Sequence, residues 1–404
     1  MDTILVVNAG SSSVKFQVFA VEGEGTLRRL IKGQVDGIGS RPRLRASRAG
    51  NEPMADRAYP IEAIPDVPAA MDVAGEWLRN EVRIHPLAVG HRVVHGGPDY
   101  ERPVLIDHGV VARLERFVAL APLHQPHNLA PIRSILANFP TVPQVACFDT
   151  AFHRTHGPLA DHYAIPHQLH AEGVRRYGFH GLSYEYISRT LPQIAPEIAR
   201  RRVIVAHLGS GASMCAIKGG LSVESTMGFT ALDGLPMGTR PGQLDPGVVL
   251  YLMSEKGMTV SKVQDFLYRD CGLKGLSGIS NDMRELEAST DPQAKLAVDY
   301  LVYRIGLNAG ALAAALQGID AFVFTAGIGE NSSRIRARVA EHLGWLGVAL
   351  DAAENTRHSR LISTKASLIP VYVVPTDEEL MIAQHTLSLL MNGQSTNPRH
   401  ARVS

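Results

Sequence analysis

Two short turns rich in glycine and serine carry the clearest chemical signal of this sequence. NAGSSS (8–13) ends an apolar run that begins at residue 4, and HLGSGAS (207–213) ends a similar run that begins at residue 203. Glycine lets the backbone approach a ligand closely, and the N–H groups and serine hydroxyls of such a turn can bind an anion. Gly/Ser turns are also common in ordinary β-hairpins, which are the alternative for either turn alone. The matching pair favours two related halves that hold one phosphate-bearing ligand.

A third glycine-rich turn follows the apolar segment 320–325. Gly327 and Gly329 would end that strand, and Ser332 or Ser333 could cap the helix after it. A strand, a glycine turn and a helix N-terminus suit nucleotide binding, because they present backbone N–H groups to phosphate. The sequence lacks the GxxxxGK[ST] pattern of the P-loop, and GxG alone is weak evidence. A well-capped connection without a ligand is therefore an equal alternative.

Two arginines stand in loops framed by glycine or proline, and two carboxylates stand at the ends of predicted elements. Arg92 lies in GHRVVHGG and Arg240 in MGTRPG. A guanidinium held in such a loop can bind carboxylate or phosphate through two hydrogen bonds, although an exposed surface arginine explains either position as well. Asp149 ends a predicted strand, and Glu378 opens the last predicted helix, where acids usually act as caps.

The sequence has 17 histidines, most of which we expect to be structural or solvated. His124, His180 and His207 lie within or beside polar motifs, so they are candidates for contact with a ligand. His91 and His95 flank the first arginine motif, and we predict that they belong to its scaffold. The sequence contains no HExxH or similar spacing, so we do not expect a zinc site.

The elements that must position these residues form two similar halves. Hydrophobic periodicity predicts an α/β fold, with a cleft between two lobes, and an exposed loop over the Arg- and Pro-rich residues 41–57. The predicted strands are 3–8, 14–20, 27–35, 87–94, 143–148, 320–325 and 369–374, with a further one from residue 203. The predicted helices are 67–82, 128–138, 246–255, 259–268, 293–316, 332–343 and 378–391.

Composition narrows the possible functions. A chain of 404 residues is expected to form two domains, and a formal net charge of +1 argues against nucleic acid or a membrane surface as a partner. Three scattered cysteines suit a reducing cytoplasm. The N-terminal apolar run lacks a basic flank and stops at Asn8, which argues against a signal peptide. The longest apolar stretch, 305–316, predicts a buried helix rather than a membrane span.

Taken together, the motifs resemble the acetate kinase family over nearly the whole chain. The resemblance rests on NAGSSSVKF, GHRVVHGG, FDTAFH, RRYGFHGLS, HLGSGAS, MGTRPG, FTAGIGEN and PTDEEL, in the order of that family. It implies a duplicated, actin-like (ribonuclease H-like) two-domain fold with an active-site cleft between the domains. The implied domains are residues 1–150 and 151–377, with helix 378–391 packed back on the first domain and a polar tail over 392–404.

The resemblance also implies a reaction and its residues. The reaction is the reversible transfer of a phosphoryl group from ATP to acetate, which gives acetyl phosphate and ADP. Asn8 and Glu378 would hold Mg²⁺, or Mn²⁺ in its place, and Asp149, His180 and Arg240 would be catalytic. The acyl-binding residues would be Arg92, Val94, Leu123 and Phe179. The ATP-binding residues would be Ser11, Ser13, Lys15, His207, Leu208, Gly209, Ser210, Gly211, Asp282, Met283, Arg284, Gly327, Ile328, Gly329, Glu330 and Asn331.

Three residues depart from the pattern of the family. Ser210 replaces a usual asparagine, Ala231 replaces a usual proline of the acyl pocket, and Gln243 replaces a common aspartate. A smaller residue at 231 could admit propionate or another short acyl group, so a propionate kinase is the alternative. A non-catalytic nucleotide-binding regulator is a rival on the same fold, but it need not keep Arg92, His180 and Arg240. A sugar kinase is the enzyme rival, but it usually carries polar sugar-binding loops, whereas the residues near Arg92 are apolar. The family further implies a homodimer.

The role implied for Asp149 conflicts with the chemistry of acetate. The family position is that of a catalytic acid or base, whereas acetate, like the carboxyls of Asp and Glu, is ionised at neutral pH and has no proton to lose. We therefore expect Asp149 to orient Arg92 or a magnesium-bound water.

Overall fold

The structure, a computed structural model, describes residues 1–395 and divides into two compact units. Among the described residues, the first unit comprises Met1–Ala151 together with residues 377–395, and the second comprises Phe152–Thr376. Each unit is built on one β-sheet that carries helices.

The first unit contains an eight-stranded sheet in the order β5-β4-β3-β2-β1-β6-β8-β7. Its strands are β1 (Thr3–Ala9), β2 (Ser13–Val21), β3 (Leu27–Asp36), β4 (Arg43–Arg48), β5 (Pro53–Ala58), β6 (Ala88–Val93), β7 (Val104–Leu105) and β8 (Gln144–Phe148). Its helices are α1 (Val67–Glu76), α2 (His108–Glu115), α3 (Gln125–Asn138) and, from the end of the chain, α15 (Glu378–Ser395).

The central strands of this sheet are buried on both faces. Helices α1 and α3 pack on the sheet, and α15 packs against β1, β6 and β8. Because both faces are covered, β1 is a continuous apolar run rather than an alternating one. The approach of α15 is close at Gly90, where a Cβ would lie 2.6 Å from Ile382 Cγ2 and 2.4 Å from Thr386 Oγ1. The last helix therefore belongs to the core of the first unit.

The second unit contains a five-stranded sheet in the order β11-β10-β9-β12-β13. Its strands are β9 (Arg202–Leu208), β10 (Ala212–Lys218), β11 (Leu221–Ser225), β12 (Ala321–Thr325) and β13 (Val371–Val373). Its helices are α4 (Pro158–Asp161), α5 (His167–Ala171), α6 (Gly181–Ile194), α7 (Pro246–Ser254), α8 (Val260–Arg269), α9 (Gly272–Ser277), α10 (Met283–Ala288), α11 (Pro292–Leu316), α12 (Ala326–Asn331), α13 (Ser333–His342) and α14 (Ala352–Thr356).

The two sheets share one topology, which confirms the predicted duplication. In the first unit β3-β2-β1 are antiparallel neighbours, and β6 and then β8 follow in parallel. In the second unit β11-β10-β9 are antiparallel neighbours, and β12 and then β13 follow in parallel. This repeated order is the duplicated, actin-like arrangement that the motifs predicted. Each Gly/Ser turn joins the first two strands of its sheet.

Three predictions about local structure were wrong. Residues 41–57 are not a loop: β4 and β5 extend the first sheet, since Leu44 and Ala46 face inward while the alternating Arg43 and Arg45 face solvent. The glycine turn after β12 is itself helical and forms α12. Helix α15 continues through Ser395 instead of ending at 391, so part of the predicted tail is helical. The rest of that tail, residues 396–404, lies outside the described residues.

The helix predicted over 305–316 is the end of α11, but only one face of it is buried, since Ile305, Ala309 and Leu312 are buried while Leu307 is 48% exposed. Among residues 1–395, no helix is both long enough and apolar enough to cross a membrane.

Candidate active site

Strand pairing in the first unit brings Arg92 and Asp149 together. Arg92 lies near the end of β6, and Asp149 directly follows the parallel strand β8. The guanidinium donates to both carboxylate oxygens, from Nε to Oδ1 at 3.0 Å and from Nη2 to Oδ2 at 2.5 Å. Its Nη1 donates to Asn8 Oδ1 at 3.3 Å. Asp149 is 1% exposed, so this two-point ion pair holds Arg92 in one orientation.

Glu378 adds a second carboxylate beside Arg92, with Oε2 at 4.0 Å from Nε. The pKa of Glu378 is raised to about 7, chiefly by burial and also by the negative charges of Asp149 and Glu379, while Arg92 and Lys15 oppose the rise. The cluster around Arg92 thus gathers three carboxylates, those of Asp149, Glu378 and Glu379, against two cations, Arg92 and Lys15. A bound divalent cation would relieve this excess.

The donors near Arg92 suit a hard cation such as Mg²⁺. Asn8 offers an amide oxygen and Glu378 a carboxylate, and Mg²⁺ is usually held by one or two carboxylates while phosphates and water supply its other ligands. Within the described part of the chain, no group of three or more His, Cys, Asp or Glu side chains could hold a metal ion. The residues present therefore fit a magnesium ion that shares its ligands with a nucleotide.

The first Gly/Ser turn lies between β1 and β2. Its ends are tied by the Gly10 N–H, which donates to Ser13 O at 2.8 Å, and by the pairing of Asn8 with Lys15 across the two strands. Ser11 and Lys15 are exposed. The turn therefore places two predicted phosphate ligands on the surface of the first unit, on the same hairpin as Asn8.

Of the predicted acyl-binding residues, Val94 lies two positions after Arg92 and is buried. Its N–H donates to Asn128 Oδ1 at 2.9 Å, and Asn128 Nδ2 donates to Ala9 O at 2.7 Å. Asn128 thus ties the end of β1 to the Arg92 segment, a role that the sequence did not reveal. Leu123 is half-buried in the first unit, and Phe179 is buried in the second.

The structure also gives contacts of the candidate His124 and of the predicted scaffold residues His91 and His95. His124 precedes α3, and its carbonyl accepts the Asn128 N–H at 3.0 Å. His91 Nε2 lies 2.7 Å from Gln144 Oε1, and His95 Nδ1 accepts the Gly97 N–H at 2.8 Å. Both rings are buried, as expected for scaffold residues.

In the second unit the structure brings His180 and His207 together. Their rings stack with centroids 4.3 Å apart and an angle of 17° between planes. His180 precedes α6 with φ of 58°, in the left-handed region that non-glycine residues seldom adopt. Each Nδ1 lies 2.8 Å from a buried serine hydroxyl, that of Ser213 for His180 and that of Ser183 for His207.

Arg240 and His180 approach the second Gly/Ser turn at Gly211. A Cβ on this glycine would lie 2.8 Å from Arg240 Nη2 and 3.1 Å from His180 Nε2. Arg240 is held by a bond from Nη1 to Ala231 O at 2.8 Å. Its loop is clamped by Gly272, where a Cβ would lie 2.1 Å from Met237 O and 2.7 Å from Arg240 O. A cation and an imidazole thus face the backbone of the predicted phosphate turn.

A cavity of about 990 Å³ adjoins the same turn. Eight predicted ATP-binding residues line it: Gly209, Ser210, Asp282, Met283, Arg284, Gly327, Ile328 and Asn331. The sequence analysis missed six other lining residues, of which only Ser332 and Ser333 stood out, as helix caps: Asn281, Glu287, Ala288, Ser332, Ser333 and Arg334. The volume is of the size that small-molecule and cofactor sites occupy.

The cavity wall is built by helix termini. Asp282 caps α10 by accepting the Arg284 N–H at 2.9 Å, and the side chain of Arg284 lowers the pKa of Asp282 to about 2. Ser332 caps α13 by accepting the Ile335 N–H at 3.1 Å, which confirms one of the two predicted caps. Glu287 Oε1 accepts a hydrogen bond from the Ser332 hydroxyl at 3.1 Å, which links α10 to the start of α13.

Gly329 and Glu330 do not line this cavity. Glu330 Oε1 accepts the Ala326 N–H at 2.8 Å and the Thr376 N–H at 3.1 Å. The fully buried Arg336 donates from Nη1 to the carbonyls of both residues, at 2.9 Å and 2.8 Å. These contacts give Gly329 and Glu330 a supporting position behind the wall, although the sequence predicted that both bind ATP.

The three departures from the family pattern have defined surroundings. Ser210 lines the cavity, and its carbonyl accepts the Gly238 N–H at 3.0 Å. Ala231 contributes its carbonyl to Arg240, as described above. Gln243 accepts a hydrogen bond from Arg304 through Oε1.

The repeated fold, the two Gly/Ser turns, the nucleotide-sized cavity and the anchored arginines define a phosphotransferase of the actin-like class. A family model, the Acetokinase family, matches residues 3–384. The chain belongs to this family.

Individual relatives agree with the family match. The chain is 80% identical over 404 residues to an acetate kinase of Nitrobacter hamburgensis, with 100% of both chains covered. It is 60% identical over 390 residues to an acetate kinase of Rhizobium meliloti, over 96% of this chain and 99% of the relative. Crystal structures of an acetate kinase from Porphyromonas gingivalis and a propionate kinase from Francisella tularensis give TM-scores of 0.86 and 0.89. Each is 36% identical and covers 96% of this chain and 100% of the other.

Proposed function

We propose that this chain catalyses the reversible, Mg²⁺-dependent transfer of the γ-phosphoryl group of ATP to acetate, which gives acetyl phosphate and ADP. Membership of the Acetokinase family supports a phosphotransferase with a carboxyl acceptor. The observation that carries the choice of a small carboxylate is Arg92, a cation oriented by Asp149 and followed at two positions by the buried Val94.

Arg92 has the right donors for a carboxylate. A guanidinium carries five N–H groups, and the bonds to Asp149 and Asn8 use three of them. The remaining two, one on each terminal nitrogen, would bind the acetate carboxylate. Because acetate reaches the site ionised, no base is needed, and the two-point contact supports Asp149 as the residue that orients Arg92.

Asn8 and Glu378 would hold the Mg²⁺ ion, with Mn²⁺ as a substitute. When bound, the metal would neutralise charge on the phosphate oxygens of ATP. The exposed Ser11 and Lys15, on the same hairpin as Asn8, would contact the phosphates.

Arg240 and His180 would stabilise the transferred phosphoryl group, since both face Gly211 of the second turn. Charge spreads over the equatorial oxygens of this group during transfer, and fixed donors stabilise it without reorganisation. The cavity lined by Asp282, Gly327 and their neighbours would hold the nucleoside part of ATP.

The experiment that tests the function measures ADP release from ATP with acetate and, separately, with hexoses, while acetyl phosphate is trapped as its hydroxamate. We expect ADP and hydroxamate to form together with acetate alone. Release with a hexose would favour a sugar kinase, and nucleotide binding without turnover would favour a regulator. In the same assay Arg240→Ala should lower kcat about 100-fold or more, and a normal rate in this variant would remove Arg240 from the mechanism.

Propionate, which is one methylene longer than acetate, is one specific alternative substrate. Ala231 is smaller than the usual proline, and a propionate kinase is among the similar solved structures. One methylene group lets a pocket discriminate between two substrates by only about 1–3 kcal/mol. Propionate is therefore proposed as a second substrate of the same site.

We propose that the protein acts as a homodimer in the cytoplasm. Helix α7 supports the dimer, because none of its residues is buried although its sequence, PGVVLYLMS, is mostly apolar. Leu250 is 67% exposed and Tyr251 is 49% exposed. Apolar patches of this kind usually mark protein interfaces. Light scattering of the wild type and of Leu250→Lys tests it: the variant should be monomeric, and an unchanged mass would place the interface elsewhere.

A further inference from the structure

The stacked histidines of the second unit present the same nitrogen to the same turn. A Cβ on Gly211 would lie 3.1 Å from His180 Nε2, and one on Gly209 would lie 3.9 Å from His207 Nε2. The opposite nitrogen of each ring, Nδ1, meets a serine at 2.8 Å. Each ring therefore directs Nε2 toward the predicted phosphate turn and Nδ1 toward the protein interior.

The serine beside His180 is part of a longer chain of hydroxyls. Tyr184 Oη lies 2.5 Å from Ser213 Oγ, and both residues are fully buried. Ser213 has one proton to donate and can accept from another group. A phenol, with a pKa near 10, is a stronger acid than an alcohol and hence the better donor. The favoured order is therefore that Tyr184 donates to Ser213 and Ser213 donates to His180 Nδ1.

The backbone reinforces this arrangement. His180 adopts φ of 58°, a sparsely populated conformation that persists only where the surroundings determine it. The Tyr184 N–H donates to the His180 carbonyl at 3.1 Å, as the first bond of α6. Tyr184 is thus linked to His180 twice, directly through the helix backbone and indirectly through the Ser213 hydroxyl.

We propose that Ser213 and Tyr184 are positioning residues that keep neutral His180 in the tautomer with its proton on Nε2, a role that rests on the proposed phosphoryl transfer. An Nδ1 that accepts a hydrogen bond carries no proton, so Nε2 keeps the proton and becomes a donor. On the side of Gly211 this N–H stabilises a phosphoryl oxygen that gains charge. The other tautomer would direct a lone pair at the same oxygen and repel it.

The first test is independent of catalysis. ¹⁵N-histidine-labelled full-length protein is examined by long-range ¹H–¹⁵N correlation, and the signal lost in His180→Gln identifies His180. We expect an unprotonated Nδ1 and a protonated Nε2 in the wild type, and a mixture of tautomers in Ser213→Ala. A wild-type His180 that carries its proton on Nδ1, or a Ser213→Ala spectrum with an unchanged tautomer, would overturn the proposal.

The second test separates positioning from general structural damage. Ser213→Ala and Tyr184→Phe should each lower kcat about tenfold, the effect of one neutral hydrogen bond, with the KM values for ATP and acetate nearly unchanged. In a His180→Gln background, the amide N–H replaces that of Nε2 and has no tautomer, so Ser213→Ala should change kcat by less than about twofold. An equal loss in both backgrounds would show a purely structural role.

The matched control lies on the same helix. Ser188 donates its hydroxyl to Gly220 O at 2.8 Å and contacts neither histidine ring in any hydrogen bond of the described residues. Ser188→Ala should leave kcat within about twofold of the wild type. If the wild type does not phosphorylate acetate, the proposed function fails, and the NMR measurement still decides the tautomer.

Discussion

Replacing Asp149 by asparagine separates an orienting residue from a general base. The substitution keeps one oxygen acceptor for Arg92 but turns the other into an N–H donor that opposes a guanidinium N–H. One charge-assisted hydrogen bond is lost, which is worth about 1.5–3 kcal/mol. If that bond orients Arg92 for the acyl substrate, kcat/KM for acetate should fall roughly 10- to 150-fold. The KM for ATP should stay nearly constant, because the cavity proposed for the nucleotide is lined by residues other than Asp149 and Arg92.

The assay is the initial rate of ADP formation as a function of pH, with acetate and ATP varied in turn. Both limbs of the wild-type profile should persist in Asp149→Asn at lower amplitude, because ionised acetate has no proton for residue 149 to remove. Loss of one limb in the variant would refute the orienting role and restore the general base. Asp56→Asn is the matched control, since Asp56 accepts two hydrogen bonds from Arg43 on the exposed sheet edge, and its rates should match the wild type.

Three further perturbations have defined outcomes. Gly211→Ala should lower kcat about 10- to 100-fold, because the new methyl group displaces Arg240 and His180, and a displacement near 1 Å has an effect of about that size. Gly344→Ala is the control and should have a normal kcat, because no atom lies within 4 Å of a Cβ at this position. Burial lowers the pKa of His91 and of His153 to about 4, so both rings stay neutral in the folded protein. Their contribution to the stability of the fold is therefore complete above pH 6.5, the pKa of a histidine in the unfolded chain, and is lost as the pH falls toward 4. At pH 5 each of the two histidines should lower the free energy of unfolding, measured in urea, by about 2 kcal/mol. An equal free energy of unfolding at pH 8 and pH 5 would contradict this. Propionate should have a kcat/KM within about tenfold of acetate, and Ala231→Pro should widen that gap; equal ratios in the two proteins would show that residue 231 does not set acyl length.

Signals that act over a few residues predicted much of the fold. Apolar runs that flank Gly/Ser turns located β1, β2 and β9, and helical periodicity located α11 within one residue at its start. The same local reasoning failed for residues 41–57, where proline and arginine suggested a loop. There the strand depends on a partner outside the segment: β4 pairs in antiparallel register with β3, from Asp36↔Arg43 to Ile31↔Arg48.

The sequence by itself determined the chemical inventory of this protein: two phosphate-type turns, a pair of loop arginines and the histidines beside them. Turn chemistry and side-chain periodicity are local, so residue types and short spacings were enough to find them. Only the tertiary structure decided which groups share an environment. Arg92 meets Asp149 because β6 and β8 lie in register. Tyr184 reaches His180 through Ser213 because α6 packs against β9, the neighbour of β10 in the sheet. Such pairings depend on how whole sheets bury their faces, and no short stretch of sequence contains that information.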